Sequence, residues 1–103
     1  PMMRIAIFLD DICIARLGKG MKHIFLFDAD NGVVTAVGEE LTSINDINYI
    51  CLWLLGKGVK CLYCKAFGKQ EAVMLQKAGI KVYPLEEIKN HPLLHALLIK
   101  YRV

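Results

Sequence analysis

Four cysteines and three histidines are the residues of this 103-residue chain best suited to thiol or soft-metal chemistry: Cys13, Cys51, Cys61 and Cys64, with His23, His91 and His95. Cys61-Leu62-Tyr63-Cys64 has the C-x-x-C spacing of a redox pair or of half a zinc site. Val59 to Cys64 reads as a β-strand, however, and side chains alternate across a strand, so two cysteines three positions apart point to opposite faces unless the strand ends between them. A zinc site would also need a second pair of ligands brought to the first. Cys61 is therefore read as a small core residue, and so is Cys51, beside Leu54 and Leu55 on an apolar helix face. Cys64 differs because it ends its strand where a loop emerges, and Cys13 lies in the other loop expected at the same end of the sheet. With His23 as a more distant third donor, these thiolates suit an iron–sulfur or related metallocluster, although two cysteines are too few to hold a cubane alone. The same residue types also suit packing, and residue type leaves both readings open.

Asp10 and Asp11 after the first strand, with Asp28 ending the second and Glu71 further on, could form the carboxylate set of a metal-dependent nuclease. The competing reading is turn chemistry, with Asp10-Asp11 bonding loop amides and Asp28 to Asn31 forming a turn. Gly18-Lys19-Gly20 and Gly56-Lys57-Gly58 lack the glycine spacing and following helix of a phosphate loop and read as turns. His91 and His95 lie one helical turn apart without an acidic partner and read as surface or interface residues. No serine or cysteine nucleophile can be grouped with a histidine and an acid, so the chain is expected to bind rather than to catalyse.

Among the elements that must support these residues, Arg4 to Leu9 is an apolar run with no polar alternate face, as in a buried central strand. His23 to Phe27 and Val33 to Val37 are two further strands, joined antiparallel through Asn31-Gly32. Ser43 is the expected cap of a helix that places Ile44, Ile47, Ile50, Cys51, Leu54 and Leu55 on one face. Val59 to Cys64 is a fourth strand, Lys69 to Ala78 a helix with Ala72, Leu75 and Ala78 inward and Gly79 as its stop, and Ile80 to Tyr83 a fifth strand. A short helical turn near Leu85 to Ile88 leads to a last helix from Pro92 to Tyr101, with Asn90 as cap. Strand–helix–strand units after a hairpin imply one α/β domain over residues 1–103, with a mixed five-stranded sheet covered on both faces. Ligands in such sheets bind beyond the carboxyl ends of the strands, which selects the loops Asp10 to Lys22 and Cys64 to Gly68.

The chain is 55% hydrophobic and 22% charged, which excludes a disordered chain. Its net charge of +3 comes from lysines spread along the sequence rather than clustered, so nucleic acid is not the expected partner. The apolar run Ile5 to Leu9 is too short for a secretory h-region and no run reaches membrane-spanning length, so a cytoplasmic protein with reduced thiols is expected. Leu93-Leu94-His95-Ala96-Leu97-Leu98-Ile99 spreads apolar residues around the final helix, which points to a homo-oligomer contact through Leu94, Leu97 and Leu98.

From Met3 to Tyr83 the chain resembles the dinitrogenase iron–molybdenum cofactor biosynthesis domain of nitrogenase accessory proteins. The resemblance is carried by Met3-Arg4-Ile5-Ala6-Ile7 with its trailing Asp10, and by Leu17-Gly18 followed by Phe25-Leu26-Phe27-Asp28. It continues in Gly58-Val59-Lys60-Cys61-Leu62-Tyr63-Cys64, Gly68, Leu75 and Ala78-Gly79-Ile80-Lys81-Val82-Tyr83. It implies a ribonuclease-H-like fold and a non-catalytic role in carrying an iron–sulfur or iron–molybdenum type cluster or its precursor. Cys64 and Gly68 fall on the family's strand-ending cysteine and helix-opening glycine. Lys65 and Ala66 replace its usual Gly-Gly pair, and Arg16 stands where members often carry histidine. The resemblance and the loop positions together give a candidate site of Cys64, Cys13, Arg16, Lys65, Gly68 and Asp10, with Cys64 and Cys13 as metal ligands. Arg16 and Lys65 make it positive and suited to an anionic cluster or another anionic ligand.

Overall fold

The computed structural model describes residues 2–9, 17–18 and 20–102. Its strands are β1 (Met3–Phe8), β2 (Lys22–Asp30), β3 (Val33–Thr42), β4 (Val59–Cys64) and β5 (Lys81–Pro84). Its helices are α1 (Ile47–Gly56), α2 (Lys69–Lys77) and α3 (Pro92–Arg102), with a 3₁₀ helix over Leu85–Asn90. The strands form one sheet in the order β3-β2-β1-β4-β5. β2 is antiparallel to both its neighbours, while β1, β4 and β5 run parallel.

Alternation along the strands divides the apolar residues between two cores. Ala6, Phe8, Ile24, Leu26, Leu62 and Cys64 face α1 and α2, which contribute Ile50, Cys51, Leu54 and Leu75. Ile5, Ile7, Phe25, Phe27 and Cys61 face the other way, where Ile88 of the 3₁₀ helix and Leu94 of α3 cover them. α1 and α2 share a face, as the right-handed rule requires of the β3–α1–β4 and β4–α2–β5 crossovers, which progress in the same direction across the sheet. β1 is buried from Ile5 to Phe8, as its uninterrupted apolar run requires.

The hairpin closes at Asn31 and Gly32, both with positive φ (51° and 79°), the two-residue turn whose twist matches the flanking strands. Asp28 is not part of that turn, because β2 continues to Asp30. β3 runs past Val37, where Gly38 and two glutamates predict an end. Leu26 pairs with Gly38 and Phe27 with Ala36, so Val37 is an extra residue in a β-bulge, and pairing resumes beyond it to Thr42.

α1 starts later than Ser43. Asp46 is its cap, accepting a 2.8 Å hydrogen bond from the Asn48 amide, while Ile44 precedes the helix and packs on the core from an extended segment. Leu55, expected inward, is exposed, and so is Ala78 at the end of α2. Gly79 leaves α2 with φ 96°, the left-handed position that favours glycine. At α3 the capping groups belong to His91 rather than Asn90. Its Nδ1 accepts from the Leu94 amide at 3.4 Å and its carbonyl from the His95 amide at 2.9 Å, with Pro92 opening the helix. Leu94, expected at an oligomer contact, is fully buried in the chain's own second core, and Leu97 is half-buried against it.

Candidate functional site

Tyr63 of β4 pairs with Ile7 of β1, which sets Cys64 one step further along, beside the end of β1. Asp10, Cys13 and Arg16 follow Leu9 in the sequence and lie outside the described residues. β1 connects to β2 on one side of it, while β4 continues through Lys65 to Gly68 and into α2 on the other, the kind of divergence beside which open α/β sheets bind ligands.

Cys64 ends β4 as expected, but its side chain turns into the α1/α2 core and is fully buried, with Sγ 3.7 Å from the Ala66 carbonyl that accepts its hydrogen bond. Lys65 is exposed at the rim and Gly68 is half-buried at the cap of α2, with φ −82°, a conformation open to any residue. A ligand binding the Cys64 sulfur has to replace its hydrogen bond to Ala66. Among the described residues, no group of three or more His, Cys, Asp or Glu side chains could hold a metal ion.

Two partnerships at this edge follow from β2. Lys22 is buried, and its ammonium donates to the carbonyls of Gly18 (2.6 Å) and Gly20 (2.9 Å), tying the returning loop to the sheet. His23 Nδ1 lies 2.7 Å from Glu39 Oε1 on the bulged strand, both side chains being about half exposed. The His23 carbonyl accepts from the Leu9 amide at 3.0 Å, which extends the β1–β2 ladder beyond Phe8. Neither Lys22 nor Glu39 is marked by residue spacing. Only the hairpin register, corrected for the bulge, would have brought Glu39 to His23.

The remaining chemistry-bearing residues stand elsewhere. Asp28 lies opposite Arg4 at the start of β1, the end of the sheet away from Asp10, where Nε–Oδ1 (2.8 Å) and Nη2–Oδ2 (3.1 Å) bonds form a fork. It therefore cannot join a carboxylate cluster after β1. Its hydrogen bonds to Arg4 hold its pKa below the usual value, against the cost of burial. Arg4 also donates to the Lys57 carbonyl at 3.0 Å, which fastens the α1–β4 turn.

Cys61 is on the opposite face from Cys64, beside Tyr63, whose ring stacks on Tyr83 at 5.4 Å. Burial pushes the Cys61 thiol up to about 11 despite the nearby Lys81 charge and a hydrogen bond to Tyr63. Burial, with the neighbouring Cys61, Tyr83 and Glu87 charges, carries Tyr63 up to about 12. Both groups are protonated at neutral pH, so neither is an activated nucleophile. A shallow groove of about 310 Å³ lies between α2 and β5, lined by Ala72, Gln76, Lys81, Val82 and Tyr83, none of them among the candidate site residues.

No family model and no curated protein sequence matches the chain. Solved structures do resemble it. The crystal structure of PH0822 has a TM-score of 0.54 at 19% identity, covering 80% of this chain and 76% of that one. The Fowlpox virus resolvase, solved with its substrate Holliday junction DNA, has a TM-score of 0.54 at 14% identity, covering 80% of this chain and 59% of that one. The chain thus spans about three fifths of the resolvase, and at these identities the likeness is one of fold alone. Together with the β3-β2-β1-β4-β5 order, it makes the fold a ribonuclease-H-like α/β layered domain.

Proposed function

We propose that the chain is a non-catalytic binding protein that carries an anionic cargo, an iron–sulfur or iron–molybdenum type metallocluster or its precursor, in the cleft at the carboxyl ends of β1 and β4. The observation that carries this reading is the position of Cys64, which ends β4 beside the end of β1, the end of the sheet from which the sequence runs on to Asp10, Cys13 and Arg16 and, after Cys64 itself, to Lys65 and Gly68. The class of cargo rests on the family resemblance and on the affinity of thiolates for iron. Cys64 and Cys13 are its protein ligands, with Arg16 and Lys65 balancing its negative charge. No helix among the described residues is long and apolar enough to cross a membrane.

The test is anaerobic reconstitution of the full chain with iron and sulfide. A visible-region charge-transfer band with bound iron, both strongly reduced in Cys64→Ser and in Cys13→Ser, is the expected result. Circular dichroism of each variant separates loss of a ligand from loss of the fold. Colourless protein without iron overturns the reading.

The buried Cys64 thiol favours a second reading, in which the fold is kept as an interaction domain and the cluster site is closed. In that case reconstitution leaves iron unbound, and Cys64→Ala changes stability and nothing else.

A further inference from the structure

α1 differs from the other helices in carrying no charge. Between Glu40 and Lys57 the one charged residue is Asp46, in a chain that is 22% charged. Its inward face is spent on the core through Ile50, Cys51 and Leu54. The outward face presents Tyr49 (64% exposed) and Leu52 (62% exposed), with Leu55 on its rim, and Gly56 leaves open space one turn beyond Leu52. Tyr49, Leu52 and Gly56 follow a three-then-four spacing, the seam by which one helix packs on another. A solvated helix face normally carries Lys, Glu or Gln, as α2 does with Lys69, Gln70, Gln76 and Lys77.

We infer that this face of α1 binds a second copy of the same chain, the two α1 helices lying antiparallel across a two-fold axis near Leu52. The charge pattern selects that occupant. Each chain carries +3, so two copies repel unless the contact avoids like charges, and a two-fold contact sets a patch against itself. α1 has an acidic residue at its start, Asp46, and a basic one just past its end, Lys57. Antiparallel packing brings each Asp46 to the Lys57 end of the other copy, and it also opposes the helix dipoles favourably; parallel packing does neither. Lys57, already 2.8 Å from Glu40 and 5.5 Å above the Trp53 ring, has donors enough to meet a second carboxylate.

A standard interface takes about 800 Å² from each partner. That area corresponds to about 20–30 residues a side, more than the ten of α1 with the uncharged flank from Leu41 to Asn45, so the dimer is expected to exchange with monomer rather than to be permanent. The inference depends on neither functional reading: reconstitution reports on Cys64, whereas association reports on Leu52.

The test is sedimentation velocity of the full chain from micromolar to millimolar concentration, with Leu52→Lys and Tyr49→Glu alongside. Both sites are exposed, so circular dichroism and thermal midpoint should stay at wild-type values. The expected result is a concentration-dependent species of twice the 11.6 kDa chain mass, with each variant raising the dissociation constant about tenfold or more. Wild-type protein that stays monomeric throughout overturns the inference. So does a dimer that survives both substitutions, which would use another surface such as the β3 edge or Leu93 and Ile99 of α3.

Discussion

Cys61 and Cys64, three residues apart on β4, lie in two different cores on opposite faces of the sheet. The C-x-x-C spacing is therefore not a dithiol, and the two sulfurs face separate layers of the domain.

Thiol access should report this separation. In a Cys13→Ser background at pH 8, a disulfide reagent should modify Cys51, Cys61 and Cys64 only as fast as the native state opens, because all three are buried. Mild oxidation should form no Cys61–Cys64 bond. Peptide mapping that finds rapid labelling of Cys61, or a disulfide between the two, would contradict the strand geometry.

This alternation was legible in the residues themselves, as were β1, the Asn31-Gly32 turn and the two crossovers, because each rests on local pattern or on a handedness rule that tertiary context seldom breaks. The length of β3 was not. Counting back from the turn puts Glu40 opposite His23, but the bulge at Val37 moves Leu41 into that register and brings Glu39 to the histidine. A bulge is decided by the fit of the whole hairpin, and Gly38 alone reads as a break. The orientation of Cys64 was also out of reach, since a residue ending a strand can face either the core or the cleft. The final helix gives a third case: its apolar excess was visible, but which of its residues would pack on the sheet depended on the path of the 3₁₀ helix before it.

Cys61 and Tyr63 predict an alkaline loss of stability. Each folded pKa is raised, so the unfolded chain releases its proton first and stability falls as pH rises between the two values. For Cys61 the window runs from 9.0 to about 11, and for Tyr63 from 10.0 to about 12. Denaturant titrations from pH 8 to 11 should show a steady decline in wild type. The decline should be shallower in Cys61→Ala, whatever offset the lost sulfur causes at pH 8. Parallel curves for the two proteins would show that the thiol is not coupled to folding.

The Arg4–Asp28 fork makes the opposite statement at low pH. A depressed carboxylate pKa stabilises the fold above the ordinary value of 3.8, and that contribution fades as pH falls through the lower native value. Asp28→Asn should cost about 1 kcal/mol at pH 7, the upper end for a partly exposed pair with two-point geometry. The difference from wild type should shrink below pH 4, and an unchanged difference down to pH 2 would assign the loss to packing rather than charge.

The start of α1 can be settled by two single substitutions. Ser43 has the residue type of a cap and the spacing to Asp46 of a weak capping box, yet Asp46 itself has extended backbone angles (φ −121°, ψ 131°) and holds the Asn48 amide. Asp46→Ala should therefore lower stability by about 1 kcal/mol, as removal of a capping carboxylate usually does. Ser43→Ala, at an exposed position outside the helix, should stay within about 0.5 kcal/mol of wild type. The two free energies from equilibrium unfolding decide the matter, because a helix begun at Ser43 would reverse their order. Asp46→Asn adds a separate reading. It keeps a capping oxygen but removes the charge, so stability should hold while any self-association that depends on Asp46 meeting Lys57 of a second copy weakens.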